Sequence, residues 1–442
     1  MEGKSHRRRV NLDDVIDLRL SSVDKKTKAN EHAVRLCNYM DVYNNSFIHA
    51  DIDFMAATAT EREIEKCTLV AGDVIITKDS EKYDDIGVPA LVREDVPDLI
   101  CGYHLAILRP RSTEVDGTYL FYALSADDAQ QQFHSYANGV TRFGLRKADI
   151  GLVEIPIPPL PEQRAIAHIL RTLDDKIELN RRMNETLEEM ARALFKSWFI
   201  DFDPVRAKME GHWQRRESLP GMPAELYDLL PDRLVDTELG KIPAGWEVKS
   251  LDEIANFRNG LALQKFRPRD NDDRLPVVKI AQLRSGRADS GEWARASIDP
   301  ACILEDGDVV FSWSGSLLVK IWYGGPAALN QHLFKVTSTQ YPKWFYLHCT
   351  QSHLHEFQSI AADKATTMGH IKRQHLSEAK CVVPNQILLS AANAIFAEML
   401  SMRTSASFES RMLIDKRDTL LPKLMSGETR VKDVDAFLEK ES

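Results

Sequence analysis

The chain has 442 residues, of which 43% are hydrophobic and 28% are charged. This is ordinary globular composition, which excludes disordered, collagen-like and low-complexity proteins. At ~150 residues per domain, the length predicts about three structural units. No apolar run reaches the ~18 residues that a membrane span needs, and the basic start MEGKSHRRRVNLDD lacks the apolar stretch of a secretory signal. We therefore expect a cytoplasmic protein without a membrane partner.

The net charge of −9 by itself argues against a nucleic-acid binder, because DNA phosphates favour a basic surface. The charge is unevenly distributed: residues 1–160 carry a net −7, whereas residues 244–384 carry +2 and the remainder −4. Bulk charge thus gives no support to DNA binding, and any such function must rest on local features. If DNA is bound, the isolated chain should bind it poorly and residues 244–384 should make the stronger electrostatic contact.

The cysteines are far apart in the sequence, with no CxxC pair and no histidines at metal-binding spacing. They are Cys37, Cys67, Cys101, Cys302, Cys349 and Cys381. A disulfide framework or a zinc site is not expected. We expect buried or half-buried thiols in a reducing compartment.

The two halves of the chain resemble each other at a spacing of about 225–235 residues. LVAGDVIITKDS at 69–80 matches LEDGDVVFSWSG at 304–315, and GYHLAIL at 102–108 matches NQHLFKV at 330–336, which pairs His104 with His332. GVTRFGLRKADI at 139–150 matches KATTMGHIKRQHL at 364–376, with Gly144 opposite Gly369. The common order of these matches predicts a duplicated domain.

Each copy contains short apolar runs rich in β-branched residues and bounded by Gly, Pro and Asp, as is typical of strands. FYALSADDAQQQFHSYA and FYLHCTQSHLHEFQSIA have the pattern of short helices. Each copy is therefore predicted to be an α+β domain. His104 and His332 lie in apolar strands and are interpreted as structural.

A long helical pattern follows each copy. The first runs from about Pro161 to Phe199, and the second runs from about Gln386 until Pro422 and Gly427 end it. Apolar residues recur along both at coiled-coil spacing, with Met402 in the second seam. Each seam turns polar near its middle, at Asn180 and Asn184 in one and at residues 404–409 in the other. An antiparallel pair would bring these polar middles together; alternatively, each helix packs on its own domain and its asparagines are solvated.

The residues LPEQRAIAHILRTLDDKIELNRRMNETLEEMARALFKSWFIDFDPV at 160–205 resemble the specificity (S) subunit of type I restriction-modification systems. LGKIPAGWEVKSLDEIA at 239–255, TKDSEKYDDIGVPALV at 77–92 and ALNQHLFKV at 328–336 are also similar to that family. The resemblance extends over nearly the whole chain. It implies two target recognition domains separated by two long antiparallel helices that form a coiled-coil spacer.

On this basis the chain divides into six segments. They are recognition domain 1 (1–159), a central long helix (160–200), a connector (201–243), recognition domain 2 (244–385), a C-terminal long helix (386–427) and a tail (428–442).

The resemblance implies a non-catalytic subunit that reads a bipartite double-stranded DNA target. The helices would dock two methyltransferase (M) subunits, which methylate adenine using S-adenosylmethionine. Restriction (R) subunits would join to cleave DNA using ATP and Mg²⁺. No cofactor is expected on this chain itself, because the cofactors belong to the partner subunits.

Contacts to base edges and phosphates require Arg, Lys, amide or hydroxyl groups on loops or short helices. Four matched stretches have this character, at 77–83, 138–147, 312–316 and 364–373. The predicted DNA contacts are Thr77, Lys78, Ser80, Lys82, Tyr83, Asn138, Thr141, Arg142, Arg146, Lys147, Ser312, Trp313, Ser314, Lys364, Thr366, Thr367, His370, Lys372 and Arg373. The alternative for each is a solvated surface side chain.

No phosphate-binding GxxxxGK[ST], no GxGxxG, no GxSxG and no HExxH occurs. This disfavours a self-sufficient nuclease or methyltransferase. A coiled-coil assembly protein that binds only other proteins remains the alternative to a DNA-recognition subunit.

Overall fold

The computed structural model describes residues 7–363 and 369–431 of the chain. It contains two compact units: unit 1 comprises Met1–Ile177 and Met412–Ser442, and unit 2 comprises Glu178–Arg411. Two long helices, α7 (Leu160–Phe199) and α14 (Gln386–Ser426), each contribute residues to both units.

Unit 1 contains the first copy of the predicted repeat. Its strands are β1 (Arg9–Asn11), β2 (Ile16–Leu20), β3 (His32–Cys37), β4 (Phe47–Ile48), β5 (Met55–Ala59), β6 (Val74–Thr77), β7 (Asp79–Ser80), β8 (Pro89–Val92), β9 (Leu99–Cys101), β10 (Leu105–Pro110), β11 (Phe143–Gly144) and β12 (Glu154–Pro156). Its short helices are α1 (Leu12–Val15), α2 (Tyr39–Asn44), α3 (Glu61–Cys67), α4 (Gly117–Ser125), α5 (Asp127–Tyr136), α6 (Lys147–Gly151) and a 3₁₀ turn at Tyr83–Asp85.

Unit 2 contains the connector and the second copy. Its strands are β13 (Leu234–Thr237), β14 (Gly240–Pro243), β15 (Glu247–Ser250), β16 (Asn256–Asn259), β17 (Arg274–Val278), β18 (Trp293–Arg295), β19 (Ile303–Leu304), β20 (Val309–Ser312), β21 (Leu318–Ile321), β22 (Ala327–Leu329), β23 (Leu333–Thr337) and β24 (Lys380–Val383). Its helices are α8 (Asp203–Met209), α9 (Leu251–Ile254), α10 (Ile280–Ser285), α11 (Lys343–Ser352), α12 (Leu354–Asp363) and α13 (Arg373–Glu378), with 3₁₀ turns at Ala224–Leu229, Leu263–Lys265 and Pro300–Cys302.

The sheet topology confirms the duplicated domain. The largest sheet of the first copy has the strand order β2-β10-β6-β8-β4, and the corresponding sheet of the second copy has the order β16-β23-β20-β21. Each copy has an equivalent parallel strand pair, β3 with β9 and β17 with β22, and the first copy has a second one, β4 with β8. In each copy the first and last strands pair antiparallel, β1 with β12 and β15 with β24. The two copies are thus mixed α+β domains of one topology.

The central strands are buried on both faces, which explains their continuous apolar runs. Val74 and Ile76 of β6 lie in one core of unit 1, and Ile75 between them lies in another. In unit 2, Val309 and Phe311 of β20 lie in one core and Val310 in a second. Since alternate side chains of a strand point to opposite faces, each GDVxx segment separates two hydrophobic cores.

The two long helices run antiparallel, as expected. Within unit 2, Asn180 Nδ2 donates to Glu409 Oε2 at 2.8 Å and Asn184 Nδ2 donates to Ser407 Oγ at 3.1 Å. Farther along, Arg403 donates to Glu188 at 2.7 Å. Residue numbers rise along one helix as they fall along the other. The polar middles therefore meet, and a buried polar pair of this kind favours one register.

Two details of the second helix differ from expectation. Pro422 does not end α14, which continues to Ser426 before Gly427 takes a left-handed conformation with φ of +78°. Proline has no N–H to donate to the helix, which costs free energy. Burial of Leu424 and Met425 in the core of unit 1 offsets that cost. Met402 is not a seam residue, because 43% of its surface is exposed.

Candidate nucleic-acid interface

The same backbone hydrogen bonds bring three predicted segments together in each copy. In the first copy, Lys78 N donates to His104 O at 2.9 Å, and Leu145 N donates to Lys78 O at 2.8 Å. In the second copy, Trp313 N donates to His332 O at 3.3 Å, and Ile371 N donates to Trp313 O at 3.0 Å. The end of a central strand, the histidine and the following loop therefore meet at equivalent places. The pairing of His104 with His332 is confirmed.

One matched pair shifts by a residue. Asp79 pairs with Gly144, and the equivalent Ser314 pairs with His370 rather than with Gly369. Gly144 therefore corresponds to His370. The sequence match placed the two glycines, Gly144 and Gly369, opposite each other. The β-bridge between Ser314 and His370 is visible only in the fold.

The first polar cluster consists of Lys78, Asp79, His104 and Arg142. Asp79 Oδ2 accepts from Lys78 Nζ at 2.8 Å and lies 3.2 Å from His104 Nδ1. Burial raises the pKa of the Asp79 carboxyl, but its contacts with Lys78 and His104 outweigh burial and leave the pKa below its usual value. Asp79 is therefore a carboxylate that accepts from His104 Nδ1.

Arg142 lies against the His104 ring. Its NH2 atom is 2.9 Å from His104 Nδ1 and 3.2 Å from Nε2. A hydrogen bond in the ring plane would reach one ring nitrogen only, so the guanidinium packs on the face of the imidazole, as arginine does on aromatic rings. The exposed arginine thus rests on a partly buried histidine, which Asp79 contacts in turn.

A tight loop presents Arg142. Its base is closed by two backbone bonds, from Asn138 N to Gly144 O at 3.0 Å and from Gly144 N to Asn138 O at 2.8 Å. Gly139 adopts a φ of +144°, and a Cβ there would lie 1.9 Å from the carbonyl oxygen of Arg142. Only glycine fits this position.

The second polar cluster consists of Trp313, Ser314, His332 and His370. Ser314 Oγ lies 2.9 Å from His332 Nδ1, and the Trp313 ring packs 5.9 Å from the His332 ring and 6.3 Å from the His370 ring. The hydroxyl of Ser314 replaces the carboxylate of Asp79, and an indole replaces the ammonium of Lys78. The two clusters thus share backbone geometry and differ in chemistry.

Four of the predicted contacts have buried side chains in the structure. Thr77 and Ser312 are fully buried at the last positions of β6 and β20. Thr77 Oγ1 accepts from Val88 N, and Ser312 Oγ donates to Ser314 O. Ser80 is 7% exposed and Ser314 is 3% exposed. These hydroxyls complete the hydrogen bonding of the fold instead.

The other predicted contacts fall into three groups. Lys78 and Trp313 are half-buried in the clusters. Exposed side chains belong to Lys82, Tyr83, Asn138, Thr141, Arg142, Arg146, Lys147, His370, Lys372 and Arg373. Lys364, Thr366 and Thr367 lie outside the described residues. Their contact with DNA stays a prediction.

Two of the exposed arginines already have partners within the fold. Arg146 forms a two-pronged pair with Asp149, at 2.7 and 2.9 Å, whose hydrogen bonds lower the pKa of that carboxyl. Arg373 donates to Phe257 O at 3.0 Å and lies over the Phe334 ring. Lys147 has no such partner among the described residues. Lys147 is therefore better placed than Arg146 for an outside anion.

The sequence interpretation missed His104, Asp79 and Tyr103 as site residues. His104 was assigned a structural role because it adjoins an apolar strand, yet its ring supports Arg142. The available signal was its matched partner His332 beside an equally polar neighbour. Tyr103 is 51% exposed, and the Lys78 ammonium lies 4.8 Å from the centre of its ring.

All six cysteines are buried and none forms a disulfide. Among residues 7–363 and 369–431, no cluster of His, Cys, Asp or Glu side chains is arranged to hold a metal ion. No helix in this part of the chain has the length and hydropathy that crossing a membrane requires.

Comparison with curated proteins finds specificity subunits of type I restriction enzymes from two organisms. The chain is 25% identical over 435 residues to the Type I restriction enzyme HindI specificity subunit of Haemophilus influenzae, covering 88% of this chain and 93% of that protein. It is 25% identical over 393 residues to the Type I restriction enzyme MjaIX specificity subunit of Methanocaldococcus jannaschii, covering 85% and 82%.

Comparison with solved structures supports the fold. The crystal structure of the type I restriction-modification system S subunit from M. genitalium matches 96% of this chain and 98% of that chain, with a TM-score of 0.51 and 15% identity. A family model described as the type I restriction modification DNA specificity domain matches residues 8–189 and 243–386. The two segments that the family model matches cover most of the chain, and each contains one of the two copies. The chain therefore belongs to the type I restriction-modification DNA specificity family.

Proposed function

We propose that this chain is the DNA-recognition subunit of a type I restriction-modification complex and that it reads a bipartite target. The observation that carries the proposal is the recurrence of one polar cluster at the same topological position in both copies. Two related domains in one chain can read two half-sites, as the two subunits of a dimer do. Because the clusters differ in chemistry, the two half-sites would differ in sequence.

The chain is proposed to do no chemistry itself. Methyltransferase subunits would methylate adenine in each half-site with S-adenosylmethionine, after flipping the base out of the duplex. Restriction subunits would cleave DNA with ATP and Mg²⁺. These roles of the partner subunits rest on the family. The proposed location of the complex is the cytoplasm, where it would meet DNA.

The long helices are the proposed docking place for the methyltransferase subunits. In unit 2, a largely apolar groove of about 710 Å³ is lined by Met190, Leu194, Ile395 and Met399 of these helices and by residues 218–223 of the connector. Met190 is 48% exposed. An open groove of this kind is typical of a protein-binding surface.

A gel-shift assay with and without a co-expressed methyltransferase subunit tests the function. A DNA-recognition subunit should give a sequence-specific shift with the partner and a weaker one alone. A coiled-coil assembly protein that binds only protein would form the complex and shift no DNA specifically, which would contradict the proposal.

Replacing Arg142 and Lys147 together with alanine should weaken DNA binding by the assembled complex at moderate salt by roughly 10-fold or more. Both cations are exposed: Arg142 projects from the loop of the first polar cluster, and Lys147 begins the helix α6 that follows it. The matched control is Arg62→Ala with Lys66→Ala, which removes two exposed cations from α3 in the same copy. Fluorescence anisotropy on a target duplex measures both, and equal affinity of the loop variant and the wild type would refute this placement.

Gly139→Ala should impair DNA binding as strongly as loss of Arg142, because the new Cβ would collide with the Arg142 carbonyl and force the loop open. The strain should also lower the free energy of unfolding by about 1–3 kcal/mol. Gly72→Ala is the control, since Gly72 has a φ of +92° but open space around its Cβ position. Anisotropy with the same duplex distinguishes them; normal binding by Gly139→Ala would show that the loop takes no part.

A further inference from the structure

We propose that Arg142 reads a guanine in the major groove of the first half-site and that His104 is the residue that positions it. This inference rests on the proposed function and goes beyond it by naming the base and the reading side chain. Arginine to guanine O6 and N7 is the commonest specific contact in protein–DNA complexes, because its planar fork matches two acceptors on one base edge.

The guanidinium of Arg142 has unused hydrogen-bond donors. Among the described residues its partner is the His104 ring, which is contacted through NH2 alone. The Nε and NH1 groups therefore remain available on an exposed side chain. The end-on edge of the guanidinium, formed by one N–H of NH1 and one N–H of NH2, can contact both guanine acceptors while NH2 stays against the histidine ring.

A chain of contacts orients the fork before DNA arrives. Arg142 rests on His104, whose Nδ1 lies 3.2 Å from Asp79 Oδ2, and Lys78 holds the same carboxylate oxygen at 2.8 Å. The His104 and Asp79 side chains are only 29% and 23% exposed. A side chain whose support is fixed loses little conformational entropy on binding, and it discriminates one base better than a mobile one.

The loop that carries Arg142 is shaped to enter a groove. Val140 at its tip is 93% exposed, and Thr141 beside it is exposed too. Burying this exposed valine side chain against base edges would contribute favourable free energy to binding. The thymine methyl group is the apolar feature of the major groove that it could contact.

Phosphate contact is the competing role for an exposed arginine. Lys82 and Lys147 are exposed on the neighbouring segments without partners among the described residues, and such mobile cations suit phosphates. Arg142 differs from them because it packs on the His104 ring, whose Nδ1 in turn lies 3.2 Å from Asp79 Oδ2. A fixed orientation of the guanidinium helps it to match two acceptors on one base edge. A phosphate contact does not require a fixed orientation.

Selection from a pool of randomised DNA duplexes tests the proposal, using the full chain in complex with its methyltransferase subunit and sequencing of the bound DNA. The wild type should select guanine at one position of one half-site. Arg142→Gln should lose about 10- to 100-fold of the preference for guanine there and keep every other selected base. Lys147→Gln, the charge-matched control, should lower affinity for all sequences alike.

His104→Ala separates positioning from a general structural role. It should relax selection at the guanine position that Arg142 reads and leave the other half-site unchanged. A fall in affinity that is uniform over all bases would instead mean that His104 only supports the fold, and would overturn its assignment.

The remaining outcomes each contradict a different claim. If Arg142→Gln lowers affinity uniformly, the arginine contacts phosphate and the base assignment is wrong. If Arg142→Gln retains the guanine, another residue reads it. If the wild-type complex selects no sequence at all, the proposed function fails, and the inference fails with it.

Discussion

Replacing Asp174 with alanine is expected to lower the free energy of unfolding by about 3–5 kcal/mol, because it breaks a buried charge pair on one side only. Asp174 is 5% exposed within unit 1. Its carboxylate accepts from Tyr122 OH at 2.6 Å and from Arg417 NH1 at 2.7 Å. Without Asp174, the buried hydroxyl of Tyr122 and the NH1 group of the half-buried Arg417 lose their hydrogen-bond acceptor. Urea unfolding followed by circular dichroism measures the loss.

Asp418→Ala is the matched control, because Asp418 pairs with the same guanidinium from a more exposed position. Its carboxylate accepts from Arg417 at 2.7 and 2.9 Å, and its side chain is 53% exposed. An exposed pair contributes about 0–1 kcal/mol. Equal losses for the two variants would show that burial of Asp174 does not decide the stability of this network.

Replacing Phe396 with alanine should destabilise unit 2 by about 3–5 kcal/mol, through lost burial and the cavity that remains. Phe396 of α14 is 1% exposed. Its ring stacks on Trp344 at 4.3 Å and meets Trp198 of α7 edge-on at 5.5 Å. The phenylalanine thus joins both long helices to the second copy inside one core.

Tryptophan fluorescence is a suitable readout for this variant, because all seven tryptophans of the chain lie between residues 178 and 411. Phe408→Ala is the comparison. Phe408 lies on the same helix but is half-buried, with an edge contact to Tyr323 at 5.9 Å. Its loss should be clearly smaller. A Phe396→Ala variant that unfolds at the wild-type urea concentration would contradict the aromatic core described for unit 2.

Features with a periodic or repeated signal were predictable from sequence. The coiled-coil spacing of apolar residues predicted one buried face along α7, and Ile166, Leu170 and Trp198 of that helix are buried. The polar residues Asn180 and Asn184 predicted where the helices meet because an antiparallel pair must oppose its two polar middles. The duplicated order of motifs predicted one topology for both copies.

The site itself was only partly predictable. Sequence composition places Thr77 and Arg142 in one class of polar loop residues, whereas burial separates them: Thr77 ends a central strand and Arg142 projects from a loop. The role of His104 depends on contacts with residues 25 and 38 positions away, which no local pattern encodes. Tertiary contacts therefore decide which side chains of a polar stretch face outward.

The most direct measurement is sequencing of DNA adenine methylation in cells that carry this chain and its methyltransferase partner. A bipartite reader predicts methylation at one two-part motif with a fixed spacer of unspecified bases between the parts. Variants of the first polar cluster should alter one part of the motif and leave the other unchanged. Methylation at one uninterrupted motif, or at no motif that depends on this chain, would contradict the account.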